Sequence, residues 1–250
     1  MIEEVFIHGN SVIHGLDPRV RIAAAFAFSI MVAVCDRFAA LVVAVGVSVV
    51  LILAARLPLN KVLRRLIIVN GLIVFLWVFL PFTFQGTPLF TLGPLTATRE
   101  GIAYAAVITL KSNAIIIALM ALVATMPIFT IGRAMRHLGV PSMMAYLFLF
   151  TYRYIHVINA EYQRLVRAIK IRGFRPASNM HTYRTYAYLV GMILVKSHDR
   201  SQRVRAAMLC RGFQGRFFDL SQFAFRPSDL VMALLMFSAV TVIGLLQWLS

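Results

Sequence analysis

The segment FAALVVAVGVSVVLILAARLPLNKVLRR, residues 38–65, decides the fold. Its first 18 residues, Phe38–Ala55, carry no charge. As a helix rising 1.5 Å per residue they cover roughly 27 Å, close to the ~30 Å hydrocarbon thickness of a bilayer. Arg56, Lys61, Arg64 and Arg65 then follow with no acid among them. A membrane span that runs into a short basic loop keeps that loop in the cytoplasm.

Similar patterns lie on both sides. Residues 22–35 are an apolar run of 14, too short to cross without its flanks, and only Asp36 and Arg37 separate it from Phe38. The two runs read as a tight helical hairpin with Arg19 and Arg21 snorkelling to the interface. Residues 66–84 make a third span carrying Trp77, followed by a polar loop, FQGTPLFTLGPLTATRE, to residue 100. Residues 101–130 are a fourth apolar region, interrupted by Lys111, Ser112 and Asn113. Either the helix starts near Gly101 and puts Lys111 at mid-membrane, at a cost of roughly 2.5–3.5 kcal/mol, or the span is 114–131 with Lys111 as an interfacial anchor. The second reading is preferred. Residues 229–248 form the last span, with Trp248 at its interfacial end.

Charge agrees with the span count. Residues 131–228 hold 16 Lys or Arg against Glu161, Asp199 and Asp219, whereas 36–37 and 85–100 each carry one base and one acid. Five spans with the N-terminus inside put both basic segments in the cytoplasm and both neutral loops outside. The chain thus reads as all-α: a polytopic protein of the bacterial cytoplasmic membrane with about five transmembrane helices and a cytoplasmic bundle. Its parts are residues 1–130 (about four spans), 131–228 (cytoplasmic or interfacial) and 229–250 (the last span).

Composition supports this reading. Sixty per cent of the 250 residues are hydrophobic and 14% charged, where a soluble domain would be nearer half and a quarter. The 25 Lys and Arg against 9 Asp and Glu, a formal +16, would suggest nucleic acid in a soluble protein. In so apolar a chain the excess marks cytoplasmic loops, an anionic leaflet and an acidic partner. Cys35 and Cys210 form no CxxC pair, and the N-terminus, with early acids and Pro18, does not read as a cleavable signal.

Within 131–228, the runs 140–150 and 183–195 are apolar but bounded by Arg153 and Arg184. At about 11 residues they suit helices lying in or dipping into the inner leaflet. From Tyr152 an amphipathic stripe begins: Ile155, Ile158, Tyr162, Leu165 and Ile169 recur at steps of three and four. Arg172 ends it, seven after Leu165, and Gly173 follows where a helix cap places glycine. The pattern returns 39 residues later. Gln163-Arg164, Ala168 and Arg172-Gly173-Phe174 match Gln202-Arg203, Ala207 and Arg211-Gly212-Phe213 at the same offsets. Arg in a last turn before Gly is an ordinary stop, favoured by ~0.3–1 kcal/mol of dipole interaction. Two copies, each with Ala four residues upstream and Phe after, point instead to one docking device used twice. Arg suits it because its planar fork grips a carboxylate with two hydrogen bonds.

The residues resemble a known family, the transmembrane T component of energy-coupling factor (ECF) transporters, the CbiQ/EcfT type. Three features carry the resemblance: His14-Gly15-Leu16-Asp17-Pro18-Arg19 before the first span, the two Arg-Gly motifs, and a basic block before the last span. It covers essentially the whole chain. The first motif departs from it, with Ile171 before Arg172 where many members have Ala. The stretch AMLCRGFQGRF, residues 207–217, looks most like CbiQ proteins of cobalt (or nickel) uptake systems.

The resemblance implies a non-catalytic coupling subunit that passes ATPase movement to a separate substrate-binding membrane subunit. Partners would be two ABC-type ATPase subunits (CbiO-like), a substrate-binding subunit (CbiM-like) and an optional small accessory subunit (CbiN-like). Arg172, Gly173, Arg211 and Gly212 would dock the ATPases, with Ala168 and Ala207 allowing close approach. No cofactor is implied. The sequence itself contains no Walker A, HExxH or DxxD, and none of the six histidines is paired at i, i+4. A self-sufficient permease, with Lys111 and Asn113 along a polar path, is the main rival.

Overall fold

The computed structural model describes residues 11–83, 87–92, 95–215 and 225–249. Eight α-helices dominate the described residues: α1 (Pro18–Val34), α2 (Phe38–Ala55), α3 (Leu59–Thr83), α4 (Arg99–Leu122), α5 (Ile128–His137), α6 (Ser142–Ile171), α7 (Met180–Cys210) and α8 (Pro227–Leu249). A 3-10 turn, Val12–Gly15, precedes α1, and an antiparallel hairpin, β1 (Pro88–Leu92) with β2 (Leu95–Thr98), joins α3 to α4. The chain divides into two compact units. One contains α6 and α7; the other contains the remaining elements.

In the larger unit, α2, α3, α4 and α8 are long and apolar enough to cross a membrane. The fifth expected span, α1, has 17 residues, roughly 25 Å, and packs on α4 and α8. Its start is set locally: Asp17 accepts a hydrogen bond from the Arg19 amide at 2.8 Å, and Pro18 occupies the first helical position. The core lies where α2 meets α4. Ala40, Ala44 and Ser48 on α2, and Ala114, Ala118 and Ala121 on α4, are completely buried. Small residues at steps of three and four let two helices approach closely where no hydrophobic force drives them together.

Several expectations are corrected. The basic stretch 56–65 is mostly helix, because Pro58 starts α3 by accepting from the Lys61 and Val62 amides at 3.0 and 3.3 Å. The fourth span is α4, continuous from Arg99, not 114–131. Lys111 stays inside it because its Nζ reaches the α1–α2 turn, 2.7 Å from Asp36 Oδ1 and 3.1 Å from the Ala33 carbonyl. Asn113 is likewise satisfied across helices, exchanging amide hydrogen bonds of 3.1 and 3.2 Å with Asn70 of α3. Arg21 does not snorkel. It is 2% exposed, and its Nε donates to the Leu122 carbonyl at the end of α4 at 3.0 Å. The runs 140–150 and 183–195 are not separate short helices; they open the 30-residue α6 and 31-residue α7. Arg153 and Arg184 are exposed and helix-compatible, so they interrupt neither. Phe84, Arg216 and Asp219 lie outside the described residues.

Candidate functional site: two matched helix ends

α6 stops because Arg172 leaves the helix at φ −77°, ψ 13° and Gly173 turns left-handed at φ +81°. The Phe174 amide then donates back to the Ile169 carbonyl at 3.2 Å, and the Gly173 amide to Lys170 at 3.1 Å. α7 stops the same way. Arg211 sits at φ −88°, ψ 9°, Gly212 at φ +78°, Phe213 donates to Met208 at 3.0 Å and Gly212 to Leu209 at 3.0 Å. Both ends are Schellman motifs in one register, with Arg at the cap, Gly next and Phe after. No atom lies within 4 Å of a Cβ placed on either glycine. Glycine is therefore required by the backbone and not by crowding.

The motif alone does not mark function. α5 ends with the same bonds around Leu138-Gly139, where Gly139 has φ +93° and the Val140 amide donates to Met135 at 3.2 Å. What separates α6 and α7 is the residue at the cap. Ala168, Arg172, Gly173, Ala207, Arg211 and Gly212 are all exposed, and neither cap guanidinium has a hydrogen bond or ion pair to a described residue. Phe174 is held by the start of α7, its ring 5.9 Å from Tyr186 in an edge-on contact and 6.1 Å from His181. Phe213 lines a groove of about 540 Å³ between α6 and α7, with Tyr154, Ile158, Val204 and Met208.

That groove contains an ion pair which the sequence reading missed. Glu161 of α6 is buried, 2.5 Å from Lys196 of α7 and 2.9 Å from Arg164. The hydrogen bond from Lys196 holds the Glu161 carboxyl below the usual carboxylate range. The signal was available: Glu161 falls three after Ile158 and four before Leu165, an acid on an apolar stripe. Asp229 was missed too. Fully buried at the start of α8, it accepts from the Asp17 and Arg226 amides, both at 2.7 Å. The LDPR entry of α1 is thus clasped to the last helix.

A family model described as CbiQ, cobalt transport protein, matches residues 9–221, spanning the Asp17-Pro18-Arg19 entry and both Arg-Gly ends. The chain belongs to the CbiQ family. Its relatives include proteins named energy-coupling factor transporter transmembrane protein EcfT. That of Thermosediminibacter oceani is 26% identical, over 84% of this chain and 83% of the relative. Those of Acidaminococcus fermentans and Listeria innocua are 25% and 26% identical, over 96% and 100% of this chain and 94% and 98% of theirs. With its several apolar helices, this CbiQ/EcfT member is a multi-pass protein of the cell membrane. Family membership makes it a T component, a coupling subunit of an ECF transporter.

Proposed function

We propose that this chain couples two ABC-type ATPase subunits to a separate substrate-binding membrane subunit, without catalysing a reaction itself. The two matched Schellman ends carry the reading. They offer two exposed guanidinium groups in the same local geometry, as a partner with two equivalent acidic grooves requires. Ala168 and Ala207, one turn upstream, leave room for that partner's backbone. Nucleotide-driven opening and closing of the ATPases would then move α6 and α7, and the smaller unit would pass the movement to the substrate-binding subunit.

The basic segments support a cytoplasmic N-terminus and a cytoplasmic position for α6 and α7. The substrate is a cobalt or nickel ion, a reading supported by the printed family description and by the resemblance of 207–217 to CbiQ proteins. The ion is cargo of the partner subunit (CbiM-like), with a CbiN-like accessory subunit as a further member and CbiO-like ATPases. Among the described residues, no three His, Cys, Asp or Glu side chains gather as they would to hold a metal.

Purification of the tagged chain from its native host tests the reading. Two ATPase subunits and a small membrane subunit are expected to accompany it, and a lone homo-oligomer would overturn the coupling role. Arg172→Glu combined with Arg211→Glu is expected to abolish ATPase co-purification and metal uptake while membrane insertion persists. Unchanged assembly would reduce both arginines to helix caps. Uptake of labelled cobalt and nickel by cells expressing the complete complex tests the substrate.

A further inference from the structure

We propose that the cavity where α1, α4 and α5 meet is an oxyanion site, taking the phosphate of an anionic lipid headgroup or a free phosphate. The cavity measures about 570 Å³ and is lined by Ser11, His14, Arg21, Thr125 and Thr130. Arg21 is the unusual member. The residue is 2% exposed, and its guanidinium donates from Nε to the Leu122 carbonyl at 3.0 Å and from Nη2 to Thr125 Oγ1. Neither acceptor carries a formal charge, and Arg21 makes no ion pair with a described residue. A buried cation is costly unless an opposite charge compensates it.

The acids at the starts of α1 and α8 do not supply that charge. Asp17 caps its own helix through the Arg19 amide, and Asp229 is taken up by the amides of Asp17 and Arg226. Two further features of the cavity suit an anion. α5 begins at its wall, at Pro127, with no side chain capping its first turn, so the positive end of the helix dipole is left for a ligand. Ser11 and His14, hydrogen-bonded to each other at 2.6 Å, and Thr130, which accepts from Arg133 at 3.5 Å, line the cavity with hydroxyl and imidazole groups of the kind that surround a bound phosphate oxygen. The depth suits a lipid. Leu122, which Arg21 holds, closes a helix long and apolar enough to cross a membrane, and headgroups lie at the end of such a helix.

The test uses the protein with its co-purifying subunits in nanodiscs of three kinds: phosphatidylcholine alone, phosphatidylcholine with millimolar inorganic phosphate, and phosphatidylglycerol. Thermal unfolding is read in each. A midpoint raised by about 2 °C or more in phosphatidylglycerol alone identifies the lipid headgroup; the same rise with inorganic phosphate identifies a free anion. Thr130→Glu places a carboxylate in the cavity. It is expected to raise the midpoint in phosphatidylcholine and to remove the response to either anion. Thr185→Glu, the same charge change on α7, is expected to keep the response. If Thr130→Glu does not fold, Ser11→Asp supplies the charge from another lining position and is read identically. Equal wild-type midpoints in all three discs overturn the proposal. So does a response of full size in the cavity variant, which would reflect only the +16 charge of the whole chain.

Discussion

Gly173 and Gly212 stand at φ +81° and +78° with open space where a side chain would go. An alanine at either position meets no neighbour but must hold a left-handed backbone, at about 1–2 kcal/mol. Gly173→Ala and Gly212→Ala are therefore expected to destabilise the smaller unit by similar amounts, and hydrogen exchange should show the last turns of α6 and α7 fraying. Unequal effects would show that the two ends are not equivalent. Glu161 makes a different prediction. Lys196 holds its carboxyl below its unfolded value, which is about 4.3. A depressed carboxyl contributes stability above the unfolded value and loses it as pH falls through the folded one. Protection of α6 and α7 should thus be level near neutrality and fall below about pH 4. Glu161→Gln should show lower protection at neutral pH and little further loss on acidification.

At the scale of elements, the α3–α4 contact depends on one missing side chain. A Cβ on Gly101 would lie 2.8 Å from Pro81 Cα and 2.9 Å from the Leu80 carbonyl oxygen, both backbone atoms that cannot swing aside. Gly101→Val is expected to force α3 and α4 apart at a cost of about 1–3 kcal/mol, read as a lower unfolding midpoint in detergent. The long α6 and α7 teach the complementary lesson. Arg153 and Arg184 look like boundaries beside apolar runs, yet an exposed arginine is a good helix former, and a helix continues until its backbone is turned. Gly173 and Gly212 make that turn. Glycine was the punctuation that could be read, and arginine was not.

At the scale of the molecule, the proposed orientation can be read from the native cysteines. Cys210, one residue before the second Arg-Gly end, is exposed, whereas Cys35 is buried at the end of α1. A membrane-impermeant maleimide should label the wild-type chain in inverted vesicles and leave right-side-out vesicles unlabelled. Cys210→Ser should remove the signal. Labelling from the outside would reverse the proposed topology.

Membrane residence and the two matched helix ends were legible in the sequence because both are local properties. A span is a continuous apolar run, and a Schellman end is written within six neighbouring residues, from Ile169 to Phe174 and from Met208 to Phe213. The expected start of the fourth span beyond Lys111 and the expected snorkelling of Arg21 failed for the opposite reason. Lys111 meets Asp36 across 75 positions, Arg21 meets Leu122 across 101, and Asp17 meets Asp229 across 212. No periodicity records such pairs. A polar group inside an apolar bundle must find a partner, but only the packing of the helices decides which partner comes within reach.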